Sequence, residues 1–133
     1  MKSSKVLVAA AALVATLITT ASAASSVPYL RSATAAKRYV IVVYSLGELV
    51  PGRLLVATRS QTQPSGRFVQ SNVRVNEPLT GTKVASGLRM RTRHALRPGR
   101  YYVQVSGTVL GVDCTPKKLC PTDWSNVRRV VVK

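Results

Sequence analysis

The sequence LRPGRYYVQV, residues 96–105, decides the fold class. It contains a Pro-Gly turn, two tyrosines and then valines at alternate positions, which is the pattern of a turn that leads into a half-buried strand. Tyr101 has the parity of Val103 and Val105, so these three side chains are predicted to face inward. At the corner of a β-sandwich a tyrosine hydroxyl donates back to the backbone of the preceding turn. Parity favours Tyr101 for this role, and Tyr102 is the alternative.

The same alternation recurs along the chain. Turn signals built from Gly and Pro separate short stretches rich in Val, Tyr and Thr, which are residues preferred in strands. Neither a helical period nor an internal repeat competes with this pattern. Seven strands are predicted, over residues 27–34, 38–46, 53–58, 68–75, 88–95, 101–107 and 127–132. We therefore expect an all-β protein, an antiparallel β-sandwich of about seven strands.

A second signal lies near the end of the chain, where Trp124-Ser125-Asn126-Val127 opens the last strand. Together with LRPGRYYVQV, this segment resembles the second half of a fibronectin type III domain as found in secreted bacterial proteins, over about residues 88–132. The resemblance implies a fibronectin type III or immunoglobulin-like sandwich. The first half departs from the family pattern, because its early core tryptophan is missing and Trp124 is the only tryptophan. We interpret Trp124 as a packing residue, with an exposed ring that stacks on sugar as the alternative.

The first 23 residues predict export. Lys2 and Lys5 precede an apolar run of 13 residues, 6–18, whereas a membrane-spanning helix needs about 20. The run is followed by small residues that suit signal peptidase. We expect a signal peptide over residues 1–23, one domain over residues 24–133, and a secreted product without a transmembrane segment.

Charge is the strongest functional signal. The chain has 20 Lys and Arg against 4 Asp and Glu, a formal net charge of +16, and without Lys2 and Lys5 the net charge is +14. Solubility asks for a magnitude of only about 2–8 in a small domain. Such a surplus favours binding to a polyanion: a phosphate-rich cell-wall polymer, an acidic polysaccharide or anionic lipid head groups. Specific nucleic-acid recognition is not predicted, because no aromatic platform interleaves with the arginines.

Arginines in the second half of the chain are the predicted polyanion-binding residues. Three alternate along one strand, so they are expected to project from one sheet face within about 14 Å. Two more follow at the corner, and the last two point to opposite faces of the final strand, so only one of them extends a given row. The alternative is a solvated strand face that discourages edge-to-edge aggregation. The seven residues are Arg89, Arg91, Arg93, Arg97, Arg100, Arg128 and Arg129.

Catalysis is not predicted, and neither is a metal or cofactor site. The chain has one histidine and four scattered acidic residues, too few for an acid–base pair, a triad or a usual zinc site. That histidine, His94, shares its parity with Leu88 and Met90, and is expected to be partly buried and hydrogen-bonded.

Cys114 and Cys120 predict a disulfide, because an isolated pair in a secreted chain is most simply bonded. Closing so short a loop contributes roughly 2 kcal/mol. We interpret the bond as a staple for a hairpin connection. The functional alternative is an inhibitor loop that presents Lys117 and Lys118 to the acidic pocket of another secreted protein, a protease.

Overall fold

Two antiparallel sheets pack face to face in the computed structural model, which describes residues 27–109 and 122–133. The predicted β-sandwich is therefore confirmed. Within the described ranges the structure has nine strands rather than seven, and no helix long and apolar enough to cross a membrane. The strands are β1 (Tyr29–Ala36), β2 (Tyr39–Ser45), β3 (Val50–Ala57), β4 (Val73–Pro78), β5 (Thr82–Val84), β6 (Gly87–Arg91), β7 (Gly99–Thr108), β8 (Thr122–Trp124) and β9 (Arg128–Val132).

Sheet one has the strand order β1-β2-β6-β5. Sheet two has the order β4-β3-β7, and both β8 and β9 pair with the far side of β7. Contacts between β1 and β9 close one side of the sandwich. Because every pairing is antiparallel, the β1–β2, β3–β4 and β6–β7 connections and the last residue of β9 all lie at the same end.

Inward-facing apolar residues of the longer strands form the core between the sheets. In β2, Val40, Val42 and Tyr44 are buried, while the residues between them are half-buried. The inward residues predicted for β7, namely Tyr101, Val103 and Val105, are all buried as well. Each Val or Leu side chain withdrawn from water in this way stabilises the fold by roughly 1.5–3 kcal/mol.

A second, smaller core lies on the outer face of sheet two, where the β3–β4 connection, residues 58–72, folds back over the sheet. Phe68 in this connection is 0% exposed and packs against Leu55 and Ala57 of β3. Gln104 of β7, also 0% exposed, accepts from the backbone N–H of Phe68 at 2.8 Å and donates to the carbonyl of Gly66 at 2.9 Å. This buried amide therefore attaches the middle of the connection to sheet two.

This use of Phe68 explains one difference from the predicted strands. A strand was expected over residues 68–75, but a 3-10 turn at Gln70–Asn72 precedes β4, which begins only at Val73. Phe68 thus belongs to the loop that covers sheet two and not to a strand. The strands β5 and β8, each of three residues, were not predicted, because a segment so short shows no clear alternation.

A second difference concerns the strand predicted over residues 88–95, which ends at Arg91. Beyond it, the backbone N–H groups of Arg93 and His94 donate to the carboxylate of Glu77 instead of to a neighbouring strand. His94 was expected to be partly buried, but its side chain is 76% exposed. It contacts Glu77 from the solvent side.

Two sequence predictions lie outside the described residues. They are the signal peptide, residues 1–23, and the loop of Cys114 and Cys120 with Lys117 and Lys118.

Candidate functional site

Nine exposed basic side chains lie at one end of the sandwich, where three connections meet the last residue of β9. They are nine of the sixteen Lys and Arg residues in the described ranges. Away from the basic end the described surface carries both signs: Glu48 and Asp123 are exposed there, as are Arg53 and Lys83. We call the nine residues the basic end: Lys37, Arg38, Arg59, Arg74, Arg91, Arg93, Arg97, Arg100 and Lys133.

The positive charge of the basic end is not offset by ion pairs. In residues 27–109 and 122–133, no Lys or Arg lies within ion-pair distance of a carboxylate, and the one pair recorded there joins His94 to Glu77. Glu77 is 2% exposed and its oxygens face backbone N–H groups rather than guanidinium groups. The nine cations therefore repel one another through solvent and attract any anion that approaches.

The β6–β7 connection, residues 92–98, is held firmly against the β1–β2 turn. The N–H of Thr92 donates to the carbonyl of Val40 at 2.9 Å, and the N–H of Val40 donates to the Thr92 hydroxyl at 3.0 Å. The N–H of Leu96 donates to the carbonyl of Arg38 at 2.8 Å, and Arg38 Nε donates back to the carbonyl of Leu96 at 2.9 Å. Two adjacent parts of the basic end are thereby fixed to each other.

Glu77 of β4 holds the same connection from its other side. Its carboxylate accepts from the N–H of Arg93 at 2.9 and 3.0 Å and from the N–H of His94 at 3.2 Å. His94 Nδ1 lies 2.8 Å from the carboxylate. Because a charged acceptor makes stronger bonds than a neutral one, this residue fixes the backbone that carries Arg93.

Tyr101 completes the support of the connection. Its hydroxyl donates to the carbonyl of Arg97, four residues earlier, at 2.7 Å. Tyr101 therefore makes the corner bond that the sequence expects of it, and the alternative, Tyr102, is half-buried on the opposite face of β7. The backbone that carries Arg97 is therefore held by the bonds of Leu96 on one side and by the bond from Tyr101 on the other.

One arginine of the basic end stacks on an aromatic ring. The guanidinium of Arg91 lies over the ring of Tyr39, 4.5 Å from its centroid. Arg67 and Arg128 lie over Trp124 and Tyr29 at 5.8 and 6.0 Å. A guanidinium can stack on an aromatic ring and also make bidentate contact with an acidic group, so Arg91 beside Tyr39 is suited to binding an anion.

Three clefts open at the basic end. The first is about 330 Å³ and is lined by Thr58, Arg74, Ala95, Leu96, Arg97 and Tyr101. The second, about 310 Å³, adjoins the first at Thr58 and is also lined by Arg59 and Tyr102. The third, about 320 Å³, lies between β1 and β9 with Lys37 and Lys133 on its walls. Cationic side chains therefore line concave surfaces and not only convex turns.

The seven arginines predicted from the sequence do not form one row. Arg91, Arg93, Arg97 and Arg100 belong to the basic end, although Arg93 lies two residues beyond the end of its strand. Arg89 is on the outer face of sheet one, opposite Val43.

The last two predicted arginines separate across β9. Arg129 is on the outer face of sheet two, opposite Tyr102. Arg128 is half-buried, and its Nε donates to the carbonyl of Leu30 at 3.1 Å. It thus holds β9 against β1.

The sequence analysis did not predict five of the nine residues of the basic end: Lys37, Arg38, Arg59, Arg74 and Lys133. A usable signal was present, because in an antiparallel chain alternate connections fall at the same end of a sheet. Basic residues at the β1–β2 turn, at the end of β3, at the start of β4 and after β9 should therefore have been grouped by end rather than by face.

Trp124 is half-buried and packs against the second core. In the described residues, no group of three or more His, Cys, Asp and Glu side chains could hold a metal ion.

Comparisons of the chain with protein-family models, with curated proteins and with solved structures find no match.

Proposed function

We propose that this protein is a secreted, non-enzymatic binding module that contacts acidic polymers through its basic end. The polymer would be a wall polymer, an acidic polysaccharide or a surface of anionic lipids. One observation carries the proposal: nine exposed cations share one end of the sandwich, and none of them is paired with a carboxylate of the described residues.

The arrangement of strands supports an immunoglobulin-like or fibronectin type III-like scaffold for this module. In such domains one sheet has the order A-B-E-D and the other contains C, F and G. The orders β1-β2-β6-β5 and β4-β3-β7-β9 follow that scheme, with β4 as an added strand beside C. The bond from Tyr101 at the start of β7 to Arg97 supports it too, because a tyrosine corner occupies that place in the family.

The conformation of Lys37 also supports a binding role for this end. Lys37 has φ 58°, in the left-handed region, where a side chain costs roughly 1 kcal/mol relative to glycine. A two-residue hairpin turn requires a positive φ at its first residue, and here that position carries a lysine in place of a glycine. The result is a positive charge at the tip of the β1–β2 turn, within the basic end.

Affinity in this mechanism comes from counterion release. Each cation that contacts a densely charged polymer contributes about −0.7 to −0.9 to the slope of log K against log salt. If about five of the nine make contact, a tenfold rise in salt lowers affinity by roughly 10⁴-fold. Rigid support of the β6–β7 connection reduces the entropy that binding must overcome.

The test compares two triple variants that remove the same charge. In the first, Lys37, Arg93 and Arg100 become Gln, and in the control Arg31, Arg53 and Lys83 become Gln. The control residues are exposed and lie away from the basic end. Binding of both variants to heparin and to polygalacturonate is measured over a range of salt, with dextran as the neutral polymer.

We expect the first variant to bind at least about tenfold more weakly, with a slope smaller by about 2–3, because three contacts are lost. The control should retain affinity within about threefold, since long-range attraction alone is changed. Equal losses in the two variants would show that net charge and not the basic end is responsible. No binding of the parent to any acidic polymer would refute the proposal outright.

A further inference from the structure

We infer that the cleft beside Ala95 binds one acidic sugar unit of the polymer, with its carboxylate or sulfate between Arg74 and Arg97. This inference rests on the proposed function and narrows the ligand from polyanions in general to acidic polysaccharide. We call the pocket the Ala95 cleft; it is the first of the three clefts described above, about 330 Å³ in volume.

The lining of the Ala95 cleft combines three kinds of surface. Leu96 and Tyr101, which are 5% and 7% exposed, contribute a small apolar area to the lining, beside the exposed Ala95. Thr58 adds a hydroxyl, and Arg74 and Arg97 add two exposed guanidinium groups. A sugar ring presents apolar C–H faces, hydroxyls and, in a uronate or sulfated sugar, one negative group. Each kind of surface in the cleft therefore has a partner on such a unit.

The two arginines are held differently, and this difference suits the ligand. Arg74 Nη1 donates to the carbonyls of Ser71 and Val73 at 3.0 and 3.4 Å, which fixes the guanidinium against the backbone. Arg97 has its backbone fixed by Tyr101. Its side chain makes no hydrogen bond to any residue of the described ranges, so it is free to close over an anion. One preset cation and one adaptable cation together make a clamp.

The size of the cleft favours a ring over a bare ion. This open cleft of about 330 Å³ has room for a sugar ring, whereas a single sulfate or phosphate would leave most of this volume to water. A flat membrane surface fits less well, because binding there gains much of its strength from exposed apolar side chains that insert into the interface. Of the large exposed hydrophobic residues in the described ranges, only Val131 lies near the basic end.

The adjoining cleft across Thr58, with Arg59 and Tyr102, has almost the same volume. Because Tyr101 and Tyr102 face opposite sides of β7, the two clefts lie on either side of the end of sheet two. A polysaccharide strand that crosses Thr58 would place its next acidic unit near Arg59. Longer oligomers should therefore bind more tightly than a single unit.

The test fills the Ala95 cleft without changing any charge. Ala95 is exposed, so Ala95→Trp introduces bulk into the cleft and keeps all nine cations. The matched control is Ala85→Trp, at an exposed turn on the opposite end. Trigalacturonate, a chondroitin sulfate tetrasaccharide, galacturonic acid, inorganic phosphate and phosphatidylglycerol vesicles are titrated into parent and variants. Affinity is measured by calorimetry, and backbone amide shifts are followed by NMR.

We expect trigalacturonate or the sulfated tetrasaccharide to shift the amides of residues 95–97, and to bind at least about tenfold more weakly to Ala95→Trp than to the parent or to Ala85→Trp. Phosphate and vesicles should bind both tryptophan variants alike.

Three results would overturn the inference: neither oligosaccharide shifts these amides, Ala95→Trp binds both normally, or phosphate binds as tightly as they do. None of these results refutes the proposed function if polymer binding still depends on Lys37, Arg93 and Arg100. Conversely, loss of that dependence with an intact oligosaccharide site would refute only the wider proposal.

Discussion

Replacing Glu77 by alanine should destabilise the protein far more than its position on an edge strand suggests. Glu77 is one of only four acidic residues in the chain, and it is 2% exposed. Its carboxylate accepts the backbone N–H groups of Arg93 and His94 where β6 has ended. Without it these two donors lose their partner, and no neighbouring strand replaces it.

The size of the effect follows from the separate contacts. A hydrogen bond to a charged group contributes about 1.5–3 kcal/mol net, and here two backbone donors share one carboxylate in a partly buried site. The contact with the His94 ring adds little, because that side chain is 76% exposed and exposed ion pairs contribute about 0–1 kcal/mol. We expect Glu77→Ala to lower the free energy of unfolding by about 3 kcal/mol. Glu77→Gln keeps an acceptor oxygen and should lower it by about 1 kcal/mol.

Urea unfolding at fixed ionic strength measures these values, and Glu48→Ala is the matched control. Glu48 is exposed in the connection between β2 and β3, so its removal changes net charge by the same amount without uncovering a buried donor. Amide hydrogen exchange then locates the effect. Arg93 and His94 should lose protection in Glu77→Ala, while their protection in Glu48→Ala stays as in the parent.

A difference of less than about 0.5 kcal/mol between Glu77→Ala and Glu48→Ala would refute this structural role of the carboxylate. In that case the carboxylate would act only by reducing repulsion in a strongly cationic protein. The structural role of Glu77 would also be refuted if the amide of Arg93 kept its protection in Glu77→Ala, because the connection would then be fixed by its other bonds alone.

Four further predictions follow from single residues. Tyr101→Phe loses the corner bond and should cost about 1–2 kcal/mol of stability, whereas Tyr102→Phe should cost less than about 0.5 kcal/mol; equal losses in urea unfolding would contradict the assignment of the corner. Gln104→Leu leaves a buried N–H unpaired and should cost about 2–4 kcal/mol, with proteolysis directed to residues 58–72; unchanged protease resistance would argue against its role. Burial raises the pKa of Tyr44 above its ordinary value of 10.0, so the stability it contributes is complete below pH 10 and is lost as pH rises through the folded-state pKa. Tyr44→Phe should flatten the alkaline decline of unfolding free energy, and an identical decline in parent and variant would contradict this. Lys37→Gly should raise stability by roughly 1 kcal/mol and lower heparin affinity; a variant that loses stability would contradict the strain assigned at this turn.

Local pattern sufficed to predict a β-sandwich and most of its longer strands, although not the order of the strands in each sheet. Strand β7 follows from alternation around Tyr101, Val103 and Val105, since their burial depends on parity that any antiparallel sandwich preserves. The segment around Phe68 shows where this reasoning stops. Phe68 belongs to a loop that folds over sheet two and is buried against that sheet. The residue that holds the loop, Gln104, lies 36 residues after Phe68 in the sequence. Such a contact leaves no local trace in the sequence.

The candidate site could be predicted only in part, for a related reason. The surplus of charge and the arginines near the corner follow directly from the sequence. Grouping them by face was misleading, because β6 ends at Arg91 and the chain then turns toward β4. Glu77 holds this turn through the N–H groups of Arg93 and His94. The scattered acidic residues of the sequence gave no reason to expect such a contact. Lys37 and Lys133 join the site through topology, which becomes known only when the strand order is known.

The use of Glu77 also explains how the basic end keeps its charge. The described ranges hold sixteen cationic residues and three acidic ones, and none of the three carboxylates lies within ion-pair distance of a Lys or Arg. Here the carboxylate nearest to the basic end is buried and bound to backbone N–H groups, so it fixes the geometry of the connection without forming an ion pair with any arginine. Seven of the nine cations are arginines, which keep their charge at every physiological pH. Repulsion among these unpaired and permanently charged side chains destabilises the folded state. An acidic polymer relieves that repulsion when it binds.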